Sequence, residues 1–367
     1  MTATSRLPRK ATKTAADPGP PRRGITGAVL LGSTLALALS VAVLVSAATG
    51  QLVIPPEEVL GSLLHAVGIH ALPLPQQLGA QETLWTIRFP RVVMSILVGA
   101  ALASSGAVMQ AVFGNPLAEP GVIGVSSGAA VGAAAAIVFG WSAAGPWAVA
   151  AAAFVTGVTS VMVVYLTARK AGRTEVVTLL LTGVAVTAIT GACLALLTFL
   201  GDQQAREQIV FWQLGSLNGS RWSDAAVVLP VTVVGITISV LLGRRLDLLT
   251  LGERSARHLG VNVEALRAIA VTTVAMLVAV AVAFTGVIGF VGLVIPHLIR
   301  MVIGPAHRPL IVTSALGGAV LLVVADLVAR TAVPYADLPI GMLTALVGGP
   351  FFFWLLRRTR NRAGGWA

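Results

Sequence analysis

Nine apolar runs punctuate the chain, at about 27–48, 90–110, 121–139, 146–168, 176–200, 225–242, 268–285, 310–329 and 340–356. Each approaches the ~20 residues that a membrane-crossing helix needs. A tenth apolar stretch, 286–303, is broken in its first half. Residues 286–300 read Gly-Val-Ile-Gly-Phe-Val-Gly-Leu-Val-Ile-Pro-His-Leu-Ile-Arg. Gly286, Gly289 and Gly292 permit close backbone approach, and Pro296 removes a backbone donor. Irregular backbone at membrane depth persists only where other helices or a water-lined cavity cover it. The pattern therefore predicts an all-α polytopic membrane protein with about ten spans, and a translocating protein rather than a simple anchor. A tightly packed pair of small-residue helices is the plainer alternative for 286–303.

Three polar stretches between the runs carry their own patterns. In the loop 49–89, Pro55, Pro56, Glu57 and Glu58 form a helix start, with Val59, Leu60, Leu63 and Leu64 on one face. That predicts a short interfacial helix, with a plain loop as the alternative. Residues 113–121, Phe-Gly-Asn-Pro-Leu-Ala-Glu-Pro-Gly, force a tight turn between two spans. Gly121-Val-Ile-Gly124 recurs as Gly286-Val-Ile-Gly289, a faint echo compatible with duplicated halves. The loop 243–267 contains Leu251-Gly-Glu-Arg-Ser-Ala-Arg-His-Leu-Gly260. Glu253 and Arg257 would pair on one face of a two-turn helix. Leucines and glycines bound that helix, which reads as a motor's handle or as a helical surface loop.

Composition and charge agree with the membrane reading. The chain is 56% hydrophobic and 11% charged, with mean hydropathy +0.89. Basic residues precede the first run (Arg6, Arg9, Lys10, Lys13, Arg22, Arg23) and follow the last (Arg357, Arg358, Arg360, Arg362). The positive-inside rule places both termini in the cytoplasm, which requires an even number of spans. Ten spans then leave only Arg88, Arg91, Arg206, Arg221 and Arg330 of the 25 Lys and Arg outside. The net charge of +11 thus reports topology rather than a nucleic-acid surface, because the basic residues are dispersed between spans. Residues 27–48 exceed the length of a signal-peptide core and read as a retained first span. Residues 1–26 read as a basic disordered extension, 27–357 as the membrane domain and 358–367 as a cytoplasmic tail.

Candidate chemistry is sparse. The single cysteine, Cys193, excludes an internal disulfide and a thiol zinc site. No phosphate-binding G-x-x-x-x-G-K loop and no G-x-S-x-G elbow occurs, so the chain shows no means of its own to hydrolyse ATP or an ester. Arg88-Phe-Pro-Arg91 predicts an exposed cationic spot for a partner's carboxylate, or a pair of interfacial anchors. Asp326 and Arg330 sit four apart near the outer end of a span, and an intramembrane carboxylate needs a partner. A structural salt bridge is the expectation. His297 follows a proline in what reads as a buried turn, as a hydrogen-bonded structural residue, with no neighbouring metal ligands. An ion-coupled transporter usually carries several ionisable groups in the membrane. Here Asp326 is the one acid well inside an apolar run, which favours a transporter powered by a separate motor.

Spaced strings along the chain resemble the FecCD-type permeases, membrane subunits of type II ABC importers for iron–siderophores, haem and cobalamin. They are Arg88-Phe-Pro-Arg91, Gly106 with Gln110, Asn115-Pro-Leu-Ala-Glu-Pro120 and Leu251-Gly252 with Leu259-Gly260. Gly286 through Pro296-His297 and Arg300, His307-Arg308, Asp326 with Arg330, Leu338-Pro-Ile-Gly341 and Gly349-Pro-Phe351 follow in order. Asn115, Pro116, Glu119, Pro120, Gly289, Gly292, Pro296, His297, Asp326, Pro339, Gly341 and Pro350 enter as structural motif positions. The resemblance covers about 50–357. It implies a paired permease in the plasma or inner membrane, two cytoplasmic ATPase subunits, an extracytoplasmic solute-binding protein and no cofactor. It implies that Leu251, Gly252, Glu253, Arg254, Ala256, Arg257, Leu259 and Gly260 form the coupling element gripped by the ATPase. It implies that Arg88, Arg91 and Arg330 meet acidic residues of the binding protein. The cytoplasmic gate would fall near Thr174, Glu175, Val176, Val177 and Thr178. A ferric siderophore is the expected cargo, with cobalamin or haem as alternatives.

Overall fold

A computed structural model of the chain describes residues 23–145, 147–170 and 173–362. Most of the basic extension and the last five residues of the tail lie outside that range. Among the described residues the fold is helical apart from one hairpin pairing Arg169–Lys170 with Arg173–Thr174 and an isolated bridge between Val333 and Ala336. The long helices are α1 (Arg23–Ala48), α4 (Phe89–Val112), α6 (Ala148–Thr167), α7 (Val176–Leu200), α9 (Trp222–Leu249), α11 (Val263–Thr285) and α13 (His307–Thr331). Among the described residues, seven helical stretches are long and apolar enough to cross a membrane, α4 being extended back to Ala80 by α3 (Ala80–Thr83) and a π-helical turn. The other three expected passes hold shorter apolar helices: α5 (Val125–Val138), α12 (Val291–Ile303) and the first part of α14 (Ile340–Arg362).

Helix α4 is the axle. Its central residues, Gly99-Ala-Ala-Leu-Ala-Ser-Ser-Gly-Ala107, are small and buried, so neighbouring backbones come close. A Cβ on Gly99 would lie 2.2 Å from the Gly318 carbonyl oxygen of α13, and one on Gly106 would lie 1.8 Å from that of Gly292 in α12. Around α4 pack α13, α9, α11 and α12; α1 lies on α13, and α5 lies between α6 and α7. Three shorter helices join these: α2 (Pro56–Ala66), α8 (Gln203–Leu214) and α10 (Glu253–His258).

Helix α2 starts at Pro56 as the sequence predicts, but its buried residues are Val59, Gly61 and Ser62, while Leu60 and Leu63 are exposed. The reason is close packing: a Cβ on Gly61 would meet the Pro73 carbonyl oxygen at 1.9 Å, and Ser62 Oγ accepts from Trp85 Nε1 at 2.9 Å. Helix α8 has no counterpart in the sequence reading. Its signal is Asp202, whose carboxylate accepts from the Ala205 amide at 2.7 Å as an N-cap.

Both copies of Gly-Val-Ile-Gly stand at a break. Pro120–Ile123 is a single 3-10 turn before α5, wedged among α4, α6 and α7. Residues 286–290 are non-helical and lead into α12. The breaks touch each other: Glu119 Oε1 accepts from the Phe290 amide at 3.1 Å, and Gly292 lies against Pro120.

Candidate docking, gate and coupling sites

At the end of the bundle where α1 finishes and α4 starts, a pocket of about 360 Å³ is lined by Arg88, Arg91, Arg330, Asp326 and Asp337 among others. Three guanidiniums face two carboxylates there. Arg91 Nε donates to Asp326 at 2.9 Å and Arg91 Nη1 to Asp337 Oδ2 at 3.0 Å. Arg330 Nε lies 3.6 Å from Asp326 Oδ2, and its terminal nitrogens donate to Thr49 O at 2.6 Å, to Ser46 Oγ at 2.8 Å and to Ser46 O. Arg88 donates to the Ala47 and Leu52 carbonyls and has no ion pair among the described residues. The expectation of an exposed cationic spot is corrected: Arg88 is 6% and Arg91 8% exposed. Their side chains fold inward because the ends of α1 and α13 offer carbonyls and a buried carboxylate that would otherwise go unpaired. Asp326 takes Arg91 as its closer partner, with Arg330 second, and Asp337 is a member the sequence reading missed.

In the broken segment, Phe290 holds a left-handed conformation, φ 66°, at the N-cap of α12. Pro296 lies inside α12, so His297 is on a helix and not in a turn. Its ring is half-buried and hydrogen-bonds to the Pro116 backbone, as the sequence leads one to expect, while its Nδ1 has no hydrogen-bond partner among the described residues. Pro296 cannot donate to the carbonyl four residues back, which is Gly292. Gln110 Nε2 supplies the missing donor, at 3.4 Å to Gly292 O and 3.2 Å to Leu293 O. Gly341 packs its backbone on the Val287 and Leu214 carbonyls, which closes the segment from the α14 side, with Pro339 just before it and Pro350 inside α14. Asn115 Oδ1 accepts from the Leu117 amide at 2.9 Å and fixes the turn that Pro116 continues.

At the opposite end lies α10. Gly252 (φ 96°) and Gly260 (φ 83°) flank it in conformations that favour glycine. Ala256 is buried beneath it, Arg254 is exposed, and Arg257 Nη2 meets Glu253 Oε2 at 3.1 Å, the predicted pair. Leu251 and Leu259 are 62% and 59% exposed at this polar end. Behind α10 is a buried residue that the sequence reading did not single out, Arg267 of α11. One terminal nitrogen meets Glu253 and the other donates to the Thr174 carbonyl at 2.8 Å. Glu264 Oε2 accepts from the Thr174 amide at 3.0 Å. Thr174 is buried, Glu175 stands at the N-cap position of α7 and accepts from Thr178 Oγ1 at 3.0 Å, and Val177 is exposed on α7. One guanidinium thus bridges α10 to the head of α7. An arginine inside the first turns of an apolar helix was the available signal.

The described residues contain no cluster of three or more metal-ligating side chains. The FecCD transport family matches residues 38–358. The chain belongs to that family. It is 44% identical over 297 residues to the cobalamin import system permease protein BtuC of Halobacterium salinarum, spanning 80% of this chain and 79% of the relative. It is 43% identical over 286 residues to the hemin transport system permease protein HmuU of Yersinia pestis, spanning 76% of this chain and 84% of the relative. A solved metal-chelate type ABC transporter in an inward-facing conformation superposes with TM-score 0.79 at 32% identity, over 90% of this chain and 99% of that one. As a FecCD member the chain is a multi-pass membrane permease of the ABC importer class.

Proposed function

We propose that this permease imports a metal chelate, taking it from an extracytoplasmic binding protein and drawing power from a separate ATPase that grips α10. A metallated tetrapyrrole-type ring, the cargo class named in both relatives, stands ahead of the ferric siderophore. The observation that carries the reading is α10: two exposed leucines at a polar end, with Glu253 tied through Arg267 to Thr174. An apolar pair on a six-residue helix gains little alone and suits a partner's groove.

In this mechanism the α10 end faces the cytoplasm. ATP-driven movement of the motor displaces α10, and the Glu253–Arg267–Thr174 link passes the displacement to α7. Residues Thr174–Thr178 at its head then open or close the pathway, which a second permease copy completes. At the outer end, the binding protein's acidic groups approach the arginine pocket. Arg88 is buried but has no ion pair among the described residues, so it leaves the pocket with a net positive field that draws those groups, Arg91 and Arg330 being already paired with Asp326. The permease changes no covalent bond in the cargo. Weak lining suits release of a large chelate.

The test is co-purification of the ATPase, with uptake of labelled cobalamin, haemin and ferric siderophore, for the native chain and for Leu251→Asp/Leu259→Asp. The double variant is expected to lose the ATPase and all uptake while keeping binding-protein affinity. Full assembly and uptake would remove α10 as the motor contact.

A further inference from the structure

The α9–α11 face carries an open apolar groove of about 630 Å³, lined by Pro230, Val231, Val234, Ile238, Ile269 and Met276 among others. A second groove of about 280 Å³, between α6, α9 and α11, shares Val231 with it. The two adjoin at Val231 and line apolar surface along α9 on the outside of the bundle. Gly235, packed under Leu277, and the short side chains of Ala268 and Thr272 keep it deep. At the α6 end stands Trp147, whose Nε1 donates to Asp224 Oδ1 at 3.2 Å.

At the α10 end the stripe Val231, Val234, Ile238, Leu241 continues at helical spacing to Arg245, whose side chain is exposed. Arg245 makes no hydrogen bond or ion pair among the described residues. The acids at this end are committed elsewhere, Asp247 to His307 and Glu264 to Thr174. The lining of the groove reaches from about 10 to 22 Å from Arg245 along α9, at 1.5 Å per residue. That is the depth range of an acyl chain whose phosphate lies at the level of the guanidinium. On the flank of a membrane-crossing bundle, a groove of this kind meets hydrocarbon, and an unpaired basic side chain in line with it, beyond its end, meets headgroups.

We propose that this groove is a binding site for one anionic phospholipid of the leaflet at the α10 end, its acyl chain along α9 and α11 and its phosphate on Arg245. The proposal rests on the membrane setting of the family and is independent of cargo, motor and docking partner.

The test uses the purified full-length permease, without its partners, in detergent with phosphatidylglycerol or phosphatidylcholine added. Native mass spectrometry reads the bound lipid. Phosphatidylglycerol should bind about five-fold better than phosphatidylcholine, the worth of one guanidinium near an anionic surface. Arg245→Gln should abolish the preference, and Arg245→Lys should keep it. Val234→Trp should fill the groove and lower retention of both lipids. A photoreactive residue at 234 in native membranes should label lipid. Equal binding of the two lipids, a preference that survives Arg245→Gln, or labelling of a protein chain from 234 would each overturn the site. None of these results bears on whether the permease couples to an ATPase.

Discussion

Replacing Arg267 by alanine should uncouple the motor contact from the head of α7 without unfolding the bundle. The guanidinium is buried and makes two defined contacts, to the Thr174 carbonyl at 2.8 Å and to Glu253, with Glu264 Oε1 3.9 Å away. A hydrogen bond from a charged donor to a buried carbonyl contributes about 1.5–3 kcal/mol. Glu253 is half-exposed, so its pairing adds only ~0.2–1 kcal/mol after solvent screening. The sum, about 2–4 kcal/mol, is local to the α10–α7 junction and small beside the packing of α4 against its neighbours. Arg267→Ala should therefore keep expression and binding-protein docking, while uptake falls at least about ten-fold and ATP hydrolysis continues, because ~1.4 kcal/mol already corresponds to a factor of ten. Arg267→Lys keeps the charge but lacks the fork that reaches two partners, so it should recover only part of the uptake. The assay pairs chelate uptake in vesicles with phosphate release by the assembled complex. A double-mutant cycle with Glu253→Ala reads the coupling between α10 and α11 directly. Uptake and hydrolysis both unchanged in Arg267→Ala would refute the link.

Arg88→Gln, which removes the charge but keeps an N–H donor for the Ala47 and Leu52 carbonyls, should weaken binding-protein docking and its salt dependence with assembly intact, whereas Arg91→Glu should lower membrane-protein yield, since it leaves the buried Asp326 beside a like charge at a cost of about 3–5 kcal/mol; docking assays at two ionic strengths and detergent melting curves separate the two. Reporter fusions at residues 10 and 362 should both report the cytoplasm, and an external C-terminus would remove the even-span topology. Gln110→Leu should leave the Gly292 carbonyl unmet and lower the melting midpoint of the purified permease, by about 1–3 kcal/mol of stability; an unchanged midpoint would show that water takes over the role.

Much of the bundle was legible because membrane spans are read from length and apolarity, and those survive in a single sequence. The short helix at 253–258 was legible too, from its flanking glycines and its Glu253–Arg257 spacing. What the sequence hid depends on contacts between distant segments. Arg88-Phe-Pro-Arg91 reads as an exposed pair because nothing local says that α1 and α13 end beside it with open carbonyls and Asp326. Arg267 reads as one more basic residue on the cytoplasmic side, because Thr174 is 93 residues away. Helix α8 hid behind its low apolarity, although Asp202 marked its start.

The two Gly-Val-Ile-Gly strings show why the broken segments belong together. Each interrupts a pass, so each leaves backbone groups without helical partners. Elsewhere in the bundle small residues only bring helices close, as Gly99 and Gly318 do. Here the breaks also supply each other's polar needs: Glu119, just before the first, accepts from Phe290, which ends the second. Gln110, near the end of α4, donates to the carbonyl that Pro296 abandons. Close small-residue packing and a covered irregular backbone, opposed as readings of 286–303, are therefore one arrangement. Gly106 must be small so that α12 can approach, and only at that distance can Gln110 reach the Gly292 and Leu293 carbonyls.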